Sequence, residues 1–378
     1  MESSIYNSYV EIDLEALDDS YARVKAHVGE GVGLVPVLKS NAYGHGTVPM
    51  ARYYALRHKV DLIAVSQLLE GLEIRQAGLN DVDVLIMGGL LERQLPAAVA
   101  HDLQFSLFDI NIARLLSREA AKQGRIAKVQ VKIETGHGRI GVKPGATLEA
   151  LLDEVKALGN IEITGFFTHF SKAETPDEPY TLLQFDRFKQ ALAQADQRGL
   201  TLRYRHCCNT LATMWFREGF LSHVRAGSVI MGYPCMDDYS NPLGVREPLS
   251  WRAHITHIHE LEPGESCGYG RHYMAEKPTR VAVINVGYGD GLFRPLVRDG
   301  GPIIVNDTRT RFLAACMDMS MVDVTGIDCA VGDEVTIFGR SRGGAMLTLN
   351  EYASLTGQPT TYSMVMINHR VERRYING

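Results

Sequence analysis

Cysteine is scarce in this chain. Cys207, Cys208, Cys235, Cys267, Cys316 and Cys329 are the six among 378 residues, and none sits in a CxxC spacing. That argues against a disulfide framework or a zinc site and predicts a reducing, cytoplasmic setting. Long hydrophobic runs are missing too, with no stretch reaching the roughly 18 apolar residues a membrane helix needs. The start, Met1-Glu-Ser-Ser-Ile-Tyr-Asn, lacks a basic or apolar leader, so the expectation is a soluble protein with no membrane partner. Positive charge is not in excess, since 39 Lys and Arg face 44 Asp and Glu for a net charge of −5. Without a broad basic field a nucleic-acid partner is not expected, and cations should matter one at a time. Two superficial motifs also fall away. Gly29-Glu-Gly-Val-Gly-Leu34 precedes a strand instead of following one, which is wrong for a dinucleotide loop. Of His254, His257 and His259 only the last two share a strand face, and no cysteine or paired carboxylate completes a site, so no metal is expected.

What is present is alternation. Eight apolar runs read as strands: Leu34–Leu38, Asp61–Val65, Val82–Met87, Leu103–Phe108, Lys128–Ile133, Ile161–Thr168, Leu202–Cys207 and His223–Arg225. Between them lie stretches with helical periodicity, such as Thr47–His58, Asp109–Gln123 and Tyr180–Arg198. Repeated strand and helix imply parallel pairing, and eight units predict a (β/α)8 TIM barrel over residues 1–244. Beyond Pro242 the pattern changes to strands joined by Gly, Asp and Pro turns: Trp251–Leu261, Arg280–Tyr288, Pro302–Val305, Phe312–Val324 and Glu334–Gly339, with only Leu347–Thr356 helical. Residues 245–378 are therefore expected to form a C-terminal, mainly β domain, which the first dozen residues are placed to join as a strand.

The most informative segment is Leu34-Val-Pro-Val-Leu-Lys39-Ser-Asn-Ala-Tyr43-Gly-His-Gly46. A short strand delivers a single lysine into a glycine-punctuated turn. At its ordinary pKa of ~10.4 only about 1 lysine in 2500 is neutral at pH 7, so a lysine that does chemistry must be depressed by burial or nearby cations. A strand end inside a barrel offers that burial; a lysine snorkelling into water is the equal alternative on these residues alone. Reading the other strand ends, where barrels place functional groups, gives Glu134-Thr-Gly-His-Gly-Arg139, Thr168-His169, Cys208-Asn209-Thr210 and Val224-Arg225-Ala-Gly227-Ser228. One lysine beside an aromatic residue, two arginines, a histidine and a Gly/Ser/Thr set suit pyridoxal phosphate, which needs an amine, ring partners and an anion cup.

With these motifs the chain resembles the alanine racemase family, the fold-type III pyridoxal-phosphate enzymes, from Val10 to Tyr375. The resemblance implies that Lys39 carries the cofactor and that Tyr43 and Tyr362 bind its phosphate with Asn209, Thr210, Gly227 and Ser228. Arg225 would face the pyridine nitrogen, leaving it unprotonated because a guanidinium keeps its protons. His169 would pack beside the ring. Racemisation needs a base on each face of the substrate Cα. Lys39 supplies one, and Tyr269, in Cys267-Gly-Tyr269-Gly-Arg271, matches the base contributed by the partner subunit. Arg139 matches the arginine that holds the substrate carboxylate. Met317, Asp318 and Tyr288 match partner-subunit loops at the entrance, so a homodimer with shared sites is implied. Lys132 matches a lysine carbamylated in many members; an unmodified strand lysine is the equal alternative. Thr210, Ser228 and His137 depart from the residues common at their positions. The implied activity is interconversion of L- and D-alanine, supplying D-alanine for cell-wall peptidoglycan. Two alternatives are a racemase for serine or several small amino acids and a non-enzymatic pyridoxal-phosphate carrier, against which residues 245–378 and Tyr269 speak.

Overall fold

The computed structural model describes residues 5–175, 177–234, 236, 238 and 240–378. Cys235 lies outside the described residues. The chain divides into two compact units, Ala22–Ala42 with Gly46–Ile230, and Met1–Tyr21 with Tyr43–His45 and Met231–Gly378. β1 (Ser8–Asp13) belongs to the second.

The first unit holds β2 (Gly33–Leu34), β3 (Leu62–Val65), β4 (Asp83–Ile86), β5 (Gln104–Leu107), β6 (Ala127–Lys132), β7 (Ile161–Phe167), β8 (Tyr204–His206) and β9 (His223–Val224). β3 to β8 form one parallel sheet in chain order, and β2 pairs in parallel with β9. Main-chain bonds join these sheets at both seams. Ala64 N donates to Pro36 O (2.9 Å) and Leu38 N to Ala64 O (2.8 Å) on one side; Ser222 N donates to Arg205 O (3.2 Å) and Arg225 N to Cys208 O (3.0 Å) on the other. Eight parallel strands thus close into a (β/α)8 barrel. The ladder expected over Leu34–Leu38 contracts to two residues because Pro36 has no N–H to continue it. Aliphatic side chains such as Ile63, Val84, Val129 and Val131 are fully buried in this unit, together with Gln104, Gln130 and His206. Those polar groups foreshadow the site.

The second unit is antiparallel and also closes. β10 (Leu249–Leu261), β11 (Ser266–Cys267), β12 (Tyr273–Met274), β13 (Thr279–Ile284), β14 (Pro302–Val305), β15 (Thr308–Ala315), β16 (Ser320–Asp323), β17 (Glu334–Arg340), β18 (Met346–Leu347) and β19 (Glu372–Ile376) follow in sequence. Neighbour pairing runs β17-β14-β15-β16-β13-β10, and β10 pairs again with β17, making a six-stranded barrel without long edges. Register shifts at Trp251/Arg252 and Ile255/His257 let β10 bend between its two sets of neighbours. β1 adds antiparallel to β10, and β19 adds parallel to β1. Arg252, buried, joins this region by donating to Glu11 and Glu334, both at 2.6 Å.

Three expectations change here. The run Phe312–Val324 is two strands, broken where Cys316 N donates to Met319 O in a tight turn. The run Arg280–Tyr288 leaves the ladder at Ile284. Leu349–Thr356, capped by Thr348 Oγ1 on Glu351 N (2.9 Å), is not the sole helix, since Arg294–Arg298 and Thr360–Met366 also form. Both are too short to show a periodic apolar face, though each carries a proline at its start as the local signal.

Candidate active site

Lys39 follows the apolar run that begins in β2 and opens an unusual turn. Ser40, Asn41, Ala42 and Tyr43 all lie in the left-handed region, with φ of 54°, 57°, 50° and 51°. Each such non-glycine residue costs on the order of 1 kcal/mol, so four in succession must be over-determined by their surroundings. They are. Ala42 N donates to Leu38 O (3.0 Å), Gly46 N to Asn41 O (2.9 Å) and Thr47 N to Asn41 Oδ1 (3.1 Å). Glu70 spans the turn from outside, accepting Ser40 N on one oxygen (2.6 Å) and Ser66 N and Gln67 N on the other. Sequence reasoning missed Glu70, whose only local signal is its place in the first turn of the helix Leu68–Gln76. The Lys39 ammonium is lowered from its ordinary pKa first by burial, then by Arg139 and Arg225, with Glu70 opposing.

Arg225 organises the centre of the barrel. Its Nη1 donates to His206 Nδ1 (2.8 Å) and His206 O (3.1 Å); its Nη2 donates to Thr168 O (2.7 Å), Cys207 O (3.2 Å) and His169 Nδ1 (3.2 Å). Because a guanidinium only donates, both imidazoles must accept at Nδ1 and carry their proton on Nε2. The His206 Nε2–H then donates to Gln130 Oε1 (2.7 Å), whose Nε2 donates to Gln104 Oε1 (3.0 Å). Burial, then the Arg225 charge, holds His169 and His206 well below the usual histidine range, so both are neutral. One donor of Arg225 is unaccounted for. Its Nε is buried and has no hydrogen-bond partner among the described residues.

Lys132, at the end of β6, is buried and donates to Ile133 O (3.1 Å). Its Nζ and the Arg225 guanidinium both lie over the Phe167 ring, at 5.4 and 5.5 Å from the centroid. Burial foremost, then Arg225, with Arg139 adding and Glu134 opposing, brings the Lys132 ammonium down to about 7. The following turn wraps the Glu134 carboxylate, which accepts from Gly136 N, Gly138 N and Arg139 N. This fixes the backbone that carries the exposed Arg139. His137, in the same turn, meets His169 edge to face with ring centroids 5.3 Å apart. Nearby, Gly227 N donates to Thr210 Oγ1 (3.2 Å), and Ser228 is buried. Both ends of the Asn209 amide are engaged, Oδ1 by Ala212 N and Nδ2 on Phe170 O. The barrel unit therefore gathers Lys39, Lys132, Arg139, His169, Asn209, Thr210, Arg225, Gly227 and Ser228 on one set of strand ends.

The second unit carries Tyr43, Tyr269, Tyr288, Met317, Asp318 and Tyr362. Tyr288 N donates to Cys316 O (3.2 Å) and Gly289 N to Met317 O (2.8 Å), so these two loops form one platform. Gly287 is required there, because a Cβ would meet Met317 O at 2.3 Å. Arg370, which the sequence did not flag, donates to Asp290 and Asp318 at 2.6 Å each and braces the platform. Tyr362 lies edge to face with Phe293. Tyr269 and Met317 remain 74% and 55% exposed in the single chain.

Comparison with known proteins decides the family. Residues 12–234 match the alanine racemase N-terminal domain and residues 248–375 the alanine racemase C-terminal domain. The chain belongs to the alanine racemase family. An alanine racemase of Desulforamulus reducens is 35% identical over 97% of this chain and 98% of its own. The racemase of Geobacter sulfurreducens is 34% identical over 97% and 96%. Among solved alanine racemases, that of Clostridium difficile superposes with a TM-score of 0.93 at 29% identity, covering 99% of this chain and 97% of its own. The enzyme of D-cycloserine-producing Streptomyces lavendulae gives 0.90 at 30% identity, covering 100% and 98%. Among the described residues no helix is long and apolar enough to cross a membrane.

Proposed function

We propose that this chain interconverts L- and D-alanine with pyridoxal phosphate held on Lys39, as a homodimer with shared sites. The observation that carries the cofactor is the unpartnered Arg225 Nε. A buried, obligate N–H donor needs an acceptor, and an unprotonated pyridine nitrogen is one. Among the described residues no carboxylate bonds to Arg225, so a ring nitrogen that required a proton would find none there, which disfavours chemistry needing a strong electron sink. Thr210, Gly227 and Ser228 would hold the phosphate with Tyr43 and Tyr362; Asn209 contributes by capping the helix that starts at Thr210. When bound, pyridoxal phosphate supplies delocalisation for negative charge at the substrate Cα.

The chain's residues do the rest. Arg139 orients the substrate carboxylate, joined by Met317 of a second copy, with Tyr288 and Asp318 at the mouth. The Lys39 Nζ, depressed by burial and two arginines, takes or returns the proton on one face of Cα. The Tyr269 Oη of the second copy serves the opposite face. Neutral His169 keeps its Nε2–H available as a donor while Arg225 fixes its ring. Lys132, with a large neutral fraction at pH 7 because its pKa is brought down to about 7, suits addition of carbon dioxide to form a carbamate with release of one proton. The new negative charge would lie between Arg225 and Arg139 and hold both. Five free thiols among the described residues suit a reducing cytoplasm, and D-alanine for peptidoglycan is the expected use.

Optical rotation of L-alanine and L-serine with the pyridoxal-phosphate-loaded protein tests the reading. Fast loss with alanine and slow loss with serine is the expected result. Comparable rates would move the assignment to a broader racemase, and no loss with cofactor retained would favour a carrier.

A further inference from the structure

Outside the cluster around Arg225, one cleft of the barrel unit holds two cations that form no ion pair among the described residues. It occupies about 450 Å³ between the turn after β6, the Lys143–Pro144 stretch and the helix Pro179–Gln197, and Glu134, Thr135, Gly136, Gly138, Lys143 and Arg187 line it. That volume suits a small molecule. Arg187 is half-buried and donates from Nη1 to Thr135 O (2.7 Å); among the described residues it has no other hydrogen-bond partner and no ion pair. The ammonium of Lys143, exposed and lining the same cleft, has neither among the described residues. The acid on the same wall, Glu134, is wrapped by three main-chain N–H groups and pairs with neither cation. The helix grips the turn at further points, through Tyr180 Oη on Gly136 O (2.8 Å) and Gln184 Nε2 on Thr135 Oγ1 (3.2 Å).

We propose that this cleft binds a compact oxyanion, phosphate or a small carboxylate, between Arg187 and Lys143. The guanidinium presents its unused N–H groups to two oxygens while the ammonium acts as a point charge. Glu134 repels a ligand lying flat on its wall, so the anion sits toward the helix side. An occupant bridges the two ends of the turn that carries Arg139 and stiffens it. This coupling to substrate rests on the alanine racemase reading above; the binding itself does not.

The test titrates the pyridoxal-phosphate-loaded protein calorimetrically with inorganic phosphate and, separately, succinate at constant ionic strength. Prior loading fills the cofactor's own phosphate cup. Saturable binding weakened about tenfold or more by Lys143→Glu is expected, with phosphate lowering the KM for alanine up to about fivefold at unchanged kcat in wild type and not in the variant. Binding of one probe alone supports the site and names its source as phosphoryl or carboxylate compounds. Absence of saturable binding, binding indifferent to Lys143→Glu, or a competitive rise in KM would overturn it. Should the protein bind phosphate as described yet fail to racemise, the cleft stands and the racemase reading falls.

Discussion

The two units handle their functional groups in opposite ways. In the barrel unit Lys132, His206 and Arg225 are buried, and nearly every polar atom around them is answered from within the same chain. In the β unit Tyr269, Met317 and Tyr288 stand at the surface, the loops of the last two braced by Arg370 and by main-chain bonds. A buried cation cluster costs desolvation and persists only where its geometry is needed. An exposed aromatic and thioether on a rigid platform costs surface exposure and gains from being covered. The first pattern fits a site that holds a cofactor and the second a surface that completes a site elsewhere.

Complementation breaks this contrast most sharply. Lys39→Ala and Tyr269→Phe should each lower racemisation by about a thousandfold or more, since each removes a reacting group. Mixed and allowed to re-associate, equal amounts should regain about a quarter of wild-type activity, because half the dimers are hybrids and each hybrid has one intact site. If Lys39 and Tyr269 served the same site within one chain, every site would stay defective and nothing would return. Rotation of polarised light by L-alanine, before and after mixing, reads the outcome.

The same contrast explains what could be read beforehand. The eight strands were legible because buried parallel strands are continuous apolar runs, and the placement of Lys39, Arg139 and Arg225 beyond strand ends was legible because each follows such a run. The role of Glu70 was not, since a carboxylate three residues into a helix looks like an ordinary capping acid until the turn it spans is seen. Arg370 was hidden for a similar reason, being distant in sequence from both aspartates it joins. The Phe312–Val324 run looked like one strand because nothing in Cys316-Met317-Asp318-Met319 has the glycine or proline that marks a tight turn. Closure of the β unit was invisible, since strand propensity says nothing of which edges meet.

A carboxylate in each unit sharpens the comparison through stability. Glu247 accepts Leu349 N (2.7 Å) and Asn350 N (3.4 Å), yet burial outweighs those bonds and pushes its carboxyl up to about 7. Between the ordinary value of 4.5 and about 7 the folded chain therefore holds a proton that the unfolded chain has lost. The Glu247 contribution to stability should fall as pH rises through this window, by roughly 3 kcal/mol, while His169 and His206, held low in the fold, contribute in the opposite direction. Stabilities from urea titrations between pH 4.5 and 8, taken as wild type minus Glu247→Gln, isolate this contribution and should show that decline. Glu247→Gln cannot ionise and leaves the other groups in place, so a difference that does not change with pH would mean that burial does not raise the Glu247 carboxyl.

Glu70 in the barrel unit acts on geometry. Glu70→Gln keeps the shape but substitutes an NH₂ for one oxygen, so of the three main-chain donors at Ser40, Ser66 and Gln67 at least one loses its acceptor. A loss of about 1–2 kcal/mol of local order is expected, read as a fall of about tenfold in kcat with Tm little changed. A uniform drop in Tm with kcat intact would make Glu70 a fold residue only.

The smallest effect is expected at His137, where the barrel unit adds an imidazole to an already cationic neighbourhood. Burial first, then Arg139 and Lys132, lowers its pKa from the ordinary value, and so it is neutral near pH 7. Its contribution is then the edge-to-face contact with His169, about 0.5–1.5 kcal/mol for such ring pairs. His137→Met retains bulk and apolar contact, so kcat/KM for alanine should change less than about fivefold. Because no charge is lost, the pH profile of kcat/KM should keep its position. A profile displaced by a full unit would mean that His137 is charged in the working enzyme and that the barrel's cations tolerate one more than burial predicts.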